Sequence, residues 1–250
     1  MALKEKVKHK WNLRKITGTI LSLSLITSIL YILVILFLSW TGLDRSGESR
    51  ENMNYPLLLV QCGLCLAVMT IPRLIDRKWA MGLPDYMFVL YYIFLFCGVF
   101  LGDVLRFFQL IPFWDLLLHG FSGAMLAALG FAFIRMVNKK KVRIRLSPFF
   151  ASLFVFCFAV AIAALWEIYE YVFDSLLSLN MQKYMLEDGT PFIGREALAD
   201  TMEDLIVNTV ISFIAAAIGY VIYKRKEKGT YRPFTVFFRL FTFQFPFRSS

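Results

Sequence analysis

Asp115 and His119 stand four residues apart in WDLLLHGFSG (Trp114–Gly123), within one of the most apolar stretches of the chain. On a helix they share a face. Such a pair is either a packing device or part of a site, and two further clusters bear on the choice. WEIYEYVFD places Glu167, Glu170 and Asp174 at i, i+3 and i+7, and DTMEDLIVN places Asp200, Asp204 and Asn208 at i, i+4 and i+8. Several carboxylates with one imidazole suit a divalent cation, whether magnesium, manganese, iron or zinc, and they equally suit proton or substrate chemistry. In the metal reading Asp115, His119, Glu167, Glu170, Asp200 and Asp204 supply ligands. His119 and Glu167 are then the catalytic candidates, with His119 either a ligand or the general base beside a metal-bound water. Asp174, Asn208, Asp103 and Ser122 are placed around these as binding or supporting residues.

These residues must be positioned by apolar helices. The chain has 250 residues, of which 58% are hydrophobic and 17% aromatic, with 26 phenylalanines. That is too apolar for a soluble domain and predicts an all-α, multi-pass membrane protein. Six runs are long enough to span: Ile16–Trp40, Pro56–Ile71, Tyr86–Leu101, Phe113–Met136, Pro148–Phe173 and Asp204–Tyr223. The basic start from Lys4 to Lys15 resembles a signal peptide. The run behind it is too long for one, so it reads as an uncleaved anchor.

Basic residues set the orientation. Of the 27 Lys and Arg, only Arg45, Arg50, Arg106, Lys183 and Arg195 fall opposite the side that holds both termini. The expectation is six helices with both ends cytoplasmic in a bacterial plasma membrane, touching anionic lipid. A nucleic-acid partner is excluded, because the basic residues flank spans and form no recognition module. The acids sort the other way: only Glu5, Asp76, Asp85 and Glu227 are cytoplasmic. At 1.5 Å per residue, His119, Glu167 and Asp204 each lie within roughly 10 Å of the outer boundary. Arg106, Lys183 and Arg195 are too few to neutralise such a cluster and mostly sit in loops.

Small residues at close-packing spacing, Gly123 with Ala127, Ala159 with Ala163 and Ala215 with Gly219, predict that the last three spans pack tightly. Pro56, Pro72, Pro84, Pro112, Pro148 and Pro191 sit at span edges or in loops, which gives broken transporter-type helices no support. Asp174–Ala199 is the one long loop, outside the membrane, with a turn at Glu187–Pro191. Cys62 and Cys65 form a C-x-x-C inside an apolar helix, where cysteine is a small packing residue. The organisation expected is one membrane domain over residues 1–230 and a Phe/Arg-rich tail over 231–250 on the membrane surface.

FWDLLLHGFSG, WEIYEY and DTMEDLIVNT resemble the pattern of the YjdF-like bacterial inner-membrane family, itself distantly similar to the VanZ-like membrane proteins. The resemblance runs from about Asp103 to Gly219 and implies a role in the cell envelope. The leading expectation is a membrane-embedded hydrolase or transferase, metal-dependent in one reading, acting on a lipid-linked or envelope substrate at an outward-facing site. The alternatives are a proton- or cation-coupled transporter and an envelope scaffold with a structural polar core.

The topology is directly testable. A single cysteine placed in the Asp174–Ala199 loop, in a background without native cysteines, should react with an impermeant thiol reagent in intact cells. Reaction only after lysis would reverse the orientation.

Overall fold

The computed structural model describes residues 13–41, 54–79, 82–139, 146–186 and 188–227. In chain order these form α1 (Leu13–Trp40), α2 (Tyr55–Val68), α3 (Ile71–Trp79) and α4 (Asp85–Leu95), which continues as a π-helical segment (Phe96–Val104). A single turn, α5 (Phe107–Leu110), precedes α6 (Trp114–Lys139) and α7 (Pro148–Leu177). A 3₁₀ turn (Glu196–Leu198) then leads into α8 (Ala199–Glu227). Six of these paths are long and apolar enough to cross a membrane: Leu13–Trp40, Tyr55–Trp79, Asp85–Val104, Trp114–Arg135, Pro148–Leu177 and Glu196–Arg225. The all-α, six-span expectation holds, with shifted ends. The fifth helix runs past Phe173 to Leu177, and the sixth begins well before Asp204. Acidic residues at those ends turn inward, so hydropathy alone stops short of them.

Helix starts follow local chemistry. Ser147 Oγ accepts the Phe150 N–H at 3.3 Å and Pro148 opens α7. Asn54 accepts the Leu57 N–H at 3.1 Å, with Pro56 in the first turn of α2. A side-chain acceptor satisfies an orphan amide there, and proline has no amide to lose.

Contacts divide the described residues into two compact units. In the first, α1 packs on α2 and α4. Its core gathers Leu21, Leu25, Ile32, Leu58, Cys62, Cys65, Phe88 and Tyr92. Cys62 and Cys65 are thus core packing residues, and none of the four cysteines is in a disulfide. Pro72, expected at the edge of a span, instead sits inside the path from Tyr55 to Trp79, just after a break between Val68 and Ile71. Proline cannot donate the amide that would continue α2. The Tyr91 hydroxyl donates to the Val68 carbonyl at 3.0 Å, which keeps that freed acceptor satisfied. The third span likewise departs from a plain helix. Its π-helical end extends it past Leu101 to Val104, and Leu105 N–H reaches back to the Phe100 carbonyl at 3.0 Å.

The second unit is a bundle in which α6, α7 and α8 each pack on the other two. Their outer faces carry large apolar side chains, among them Phe149, Leu165, Ile168, Tyr171 and Leu176 on α7 and Ile206 and Phe213 on α8, all exposed. Lipid is as apolar as these residues, so the helices associate through close fit and internal hydrogen bonds. Gly123 shows the fit: a Cβ there would lie 3.0 Å from both the Asn208 carbonyl oxygen and Ser212 Oγ on α8. At Gly219 a Cβ would run into the Phe131 ring. The tail over 231–250 lies outside the described residues.

The backbone contact at Gly123 cannot yield the way a flexible side chain can. Gly123→Val should therefore cost about 1–3 kcal/mol, the usual range for overpacking, read as a lower thermal midpoint in detergent. An unchanged midpoint would mean that α6 and α8 do not meet there.

Candidate functional site

Each helix of the second unit buries one stripe, and each stripe changes chemistry at one end. On α7 the stripe Ala151, Val155, Ala159, Ala163 continues as Glu167, Glu170 and Asp174. On α8 it begins with Asp204 and Asn208 and continues through Ser212 to Ala216. On α6 it begins with His119 and continues through Gly123 and Ala127 to Gly130 and Ile134. A helix repeats its face every three or four residues, so the residues that pack the bundle and those that could do chemistry share one seam. The polar ends of α6 and α8 meet the polar end of α7, as the distances below require.

His119, 7% exposed, is the centre. Its Nε2 faces Asp115 Oδ1 at 3.6 Å and Asp204 Oδ2 at 3.7 Å, while Nδ1 faces Glu167 Oε1 at 3.7 Å. These separations are too long for hydrogen bonds. Asp204 Oδ2 and both Glu167 oxygens are buried without a hydrogen-bond partner; Thr201 and Gln182 face Glu167 without closing one. Hydrogen bonds to the main chain fix the helix turn that carries the ring. The Ser122 hydroxyl donates to the His119 carbonyl at 2.8 Å, and the Asn208 amide donates to the same carbonyl at 3.2 Å and to Ser122 Oγ at 3.0 Å. Ser212 Oγ donates to Asn208 Oδ1 at 3.2 Å. Asn208, 1% exposed, thereby ties α6 to α8 with its amide satisfied on both ends.

Lys183 closes the cluster from the loop. Its Nζ donates to Asp115 Oδ2 at 2.7 Å and to Asp200 Oδ1 at 2.8 Å. A loop position, which set Lys183 aside in the sequence, does not keep its ammonium from two of the carboxylates. Burial alone would lower the pKa of this ammonium. The carboxylates of Asp115 and Asp200 outweigh that and hold it above its ordinary value.

The loop is built to deliver this side chain. Ser178 ends α7 in the left-handed conformation at φ 53°, and Lys183 itself has φ 44°, an unusual state for a residue with a side chain. Asp174 accepts the Met181 N–H at 2.8 Å and the Gln182 N–H at 3.0 Å. Gln182 Nε2 donates to Thr201 on α8 at 2.9 Å. Asn180 exchanges hydrogen bonds with the Met185 main chain, and Phe192 N–H reaches the Tyr184 carbonyl at 2.9 Å. Asp174 is therefore the loop's anchor. Gln182 and Thr201 escaped sequence reasoning because neither type at its position signals anything before the loop is folded.

The remaining candidates take other places. Glu170 accepts the Trp166 indole N–H at 2.8 Å while sharing the electrostatic field of Glu167, Asp115 and Asp204. Asp103 belongs to the first unit, in the π-helical end of the third span.

A metal ion fits one part of this set. Asp115, His119 and Asp204 each offer a ligand atom, all within 4.8 Å of one another. Ligands at about 2.0–2.2 Å from a tetrahedral ion stand about 3.3–3.6 Å apart, close to the 3.6 and 3.7 Å that separate His119 Nε2 from Asp115 and Asp204. Metal-bound histidines turn their second nitrogen to a carboxylate, which orients the ring. Glu167 stands in that position.

The family described as predicted membrane protein (DUF2238) matches residues 26–225. The chain belongs to this family. The match begins within the first span and takes in the segment from about Asp103 to Gly219 that carries the resemblance. No curated protein and no solved structure matches the chain.

The lysine contact has a signed pH dependence. With its folded pKa raised, the Lys183 pairing stabilises the protein fully below the ordinary lysine value near about 10.4 and fades only as pH climbs through the raised one. Lys183→Met should lower stability by about 1–3 kcal/mol, the range for charged hydrogen bonds with solvent on one side. The deficit should persist near pH ~10 in thermal unfolding. Its disappearance there would show that the ammonium is not held.

Proposed function

We propose that this chain is a membrane-embedded, metal-dependent hydrolase or transferase whose ion is held by Asp115, His119 and Asp204. The observation that carries the reading is the imidazole between carboxylates: Nε2 toward Asp115 and Asp204, Nδ1 toward Glu167. Three protein ligands are the number that leaves coordination positions for water and a substrate oxygen. A bound ion would supply a water acidified enough to attack at neutral pH. Glu167 orients His119 and, with both oxygens unpartnered, is placed to take a proton. Asn208 and Ser122 fix the helix turn that carries the imidazole.

In this reading the site faces outward, both termini are cytoplasmic, and the membrane is the bacterial plasma membrane, as the sorting of basic residues supports. The YjdF-like character, the likeness to VanZ-like proteins and the envelope role belong to the same proposal. The substrate class is lipid-linked, because the site lies within a bundle whose outer faces suit lipid. Below His119, Glu167 and Asp204 the buried seam is mostly alanine, glycine, valine and isoleucine, with Asn208, Ser212 and, at the far end of α7, Ser152 as its polar members. Such a closed floor favours a reaction site over a conduit.

Two measurements test the reading. Elemental analysis of chelator-washed protein reloaded with Mn²⁺ in detergent should give one ion per chain, lost in His119→Ala and Asp204→Asn. Glu167→Gln should weaken binding about 10–100-fold, as loss of an orienting carboxylate does. Absence of metal from the wild type, or its retention in both ligand variants, would remove the metal. Lipid mass spectrometry of membranes overproducing the wild type should show a change that Asp204→Asn abolishes. Identical profiles would refute the hydrolase or transferase activity while leaving the ion in place.

A further inference from the structure

We infer that Lys183 occupies a second cation position, so that its ammonium stands where a two-metal site would hold its second ion. The inference rests on the reading that Asp115, His119 and Asp204 hold one ion. Asp115 is the hinge of the argument, because its two oxygens face different ways: Oδ1 toward His119 Nε2 at 3.6 Å, and Oδ2 onto Lys183 Nζ at 2.7 Å. A carboxylate that serves two cations through its two oxygens is how paired metal sites, about 3.5–4 Å apart, are bridged. The second position has its own carboxylate in Asp200, whose Oδ1 holds the ammonium at 2.8 Å while Oδ2 is buried without a partner. Asp204 and Glu167, 2% and 5% exposed, also turn unpartnered oxygens into the cluster. The density of carboxylate is thus that of a two-ion site, and one of its cations is covalently part of the chain.

The loop supports the same conclusion. Lys183 adopts φ 44°, a left-handed conformation that is strained for a residue with a side chain. Asp174 and Gln182 hold the backbone just ahead of Lys183, and the Asp174 carboxylate goes to loop amides rather than to the cluster. A lysine wanted only at the surface needs no such arrangement. An ammonium makes hydrogen bonds but opens no coordination positions, so it neutralises Asp115 and Asp200 without admitting a second water. The structure therefore restricts metal chemistry to a single ion. The ligands of the second position are carboxylates only, which suits a hard cation such as Mg²⁺ or Mn²⁺.

The test counts ions. Full-length protein in detergent, stripped with chelator and titrated with Mn²⁺, is compared as wild type, Lys183→Met, Lys183→Gln and Lys183→Arg by elemental analysis and electron paramagnetic resonance. The expected result is one Mn²⁺ for wild type and Lys183→Arg, and two for the Met and Gln variants with a spin-coupled signal. Adding Asp200→Asn to Lys183→Met should return the count to one. Wild type at one with both neutral variants at one overturns the inference and leaves the mononuclear site standing. Wild type at zero with the neutral variants at one removes the first ion and keeps the second position; zero throughout removes both. Should neither neutral variant remain monodisperse, saturating Mn²⁺ on the wild type still decides: a second ion bound beside an intact Lys183 overturns the inference.

Discussion

Carboxylates held between apolar helices must be neutralised from within. In water their repulsion is screened and their charges solvated. Between α6, α7 and α8 neither holds, and an ionised side chain at the middle of a membrane helix costs about 2.5–3.5 kcal/mol on insertion scales. Asp115, Glu167, Asp200 and Asp204 share one region, and the protein places an imidazole among them and an ammonium at their edge. The arrangement of the second unit follows from this. The loop after α7 folds back rather than running free, Asp174 is diverted to hold that loop, and Trp166 gives its indole N–H to Glu170.

The same seam that carries the charges carries the packing. Lipid-facing side chains contribute nothing to holding the helices together, because hydrocarbon solvates them as well as protein does. Association falls to positions where backbones approach, as at Gly123 against Asn208, and to buried hydrogen bonds, as from Asn208 to the His119 carbonyl. Stability and site geometry are consequently coupled. Asn208 at once joins two helices and sets the height of the imidazole, so the bundle cannot loosen there without moving His119.

The first unit is built on different terms. Its core is aromatic and aliphatic, with Phe88 and Tyr92 against Leu21, Leu25 and the paired cysteines. Its irregularities are backbone ones, a proline-marked break in the second span and a π-helical end to the third. The break shows how a membrane helix tolerates proline: the Val68 carbonyl, deprived of its next turn, is met by the Tyr91 hydroxyl.

The fold class was legible in the sequence because hydropathy is additive over about 20 residues and needs no partner. The three polar faces were legible too, since i, i+3, i+4 spacing fixes which side chains share a side of a helix whatever packs on it. That is why Asp115 with His119, Glu167 with Glu170, and Asp204 with Asn208 could be read directly. Helix ends such as Leu177 and Ala199 were misplaced because inward-turned acids look like loop residues to hydropathy. Lys183 was discounted for a related reason: where a loop residue's ammonium goes depends on backbone angles at Ser178 and Lys183 and on the pull of Asp174, and these exist only once the chain has folded. The division of roles, His119 among three carboxylates, Asp174 on loop amides and Asp200 on lysine, was likewise settled by tertiary contact. Charge and residue type were enough to show that these groups had to be neutralised, but only distances between helices determine which partner each one finds.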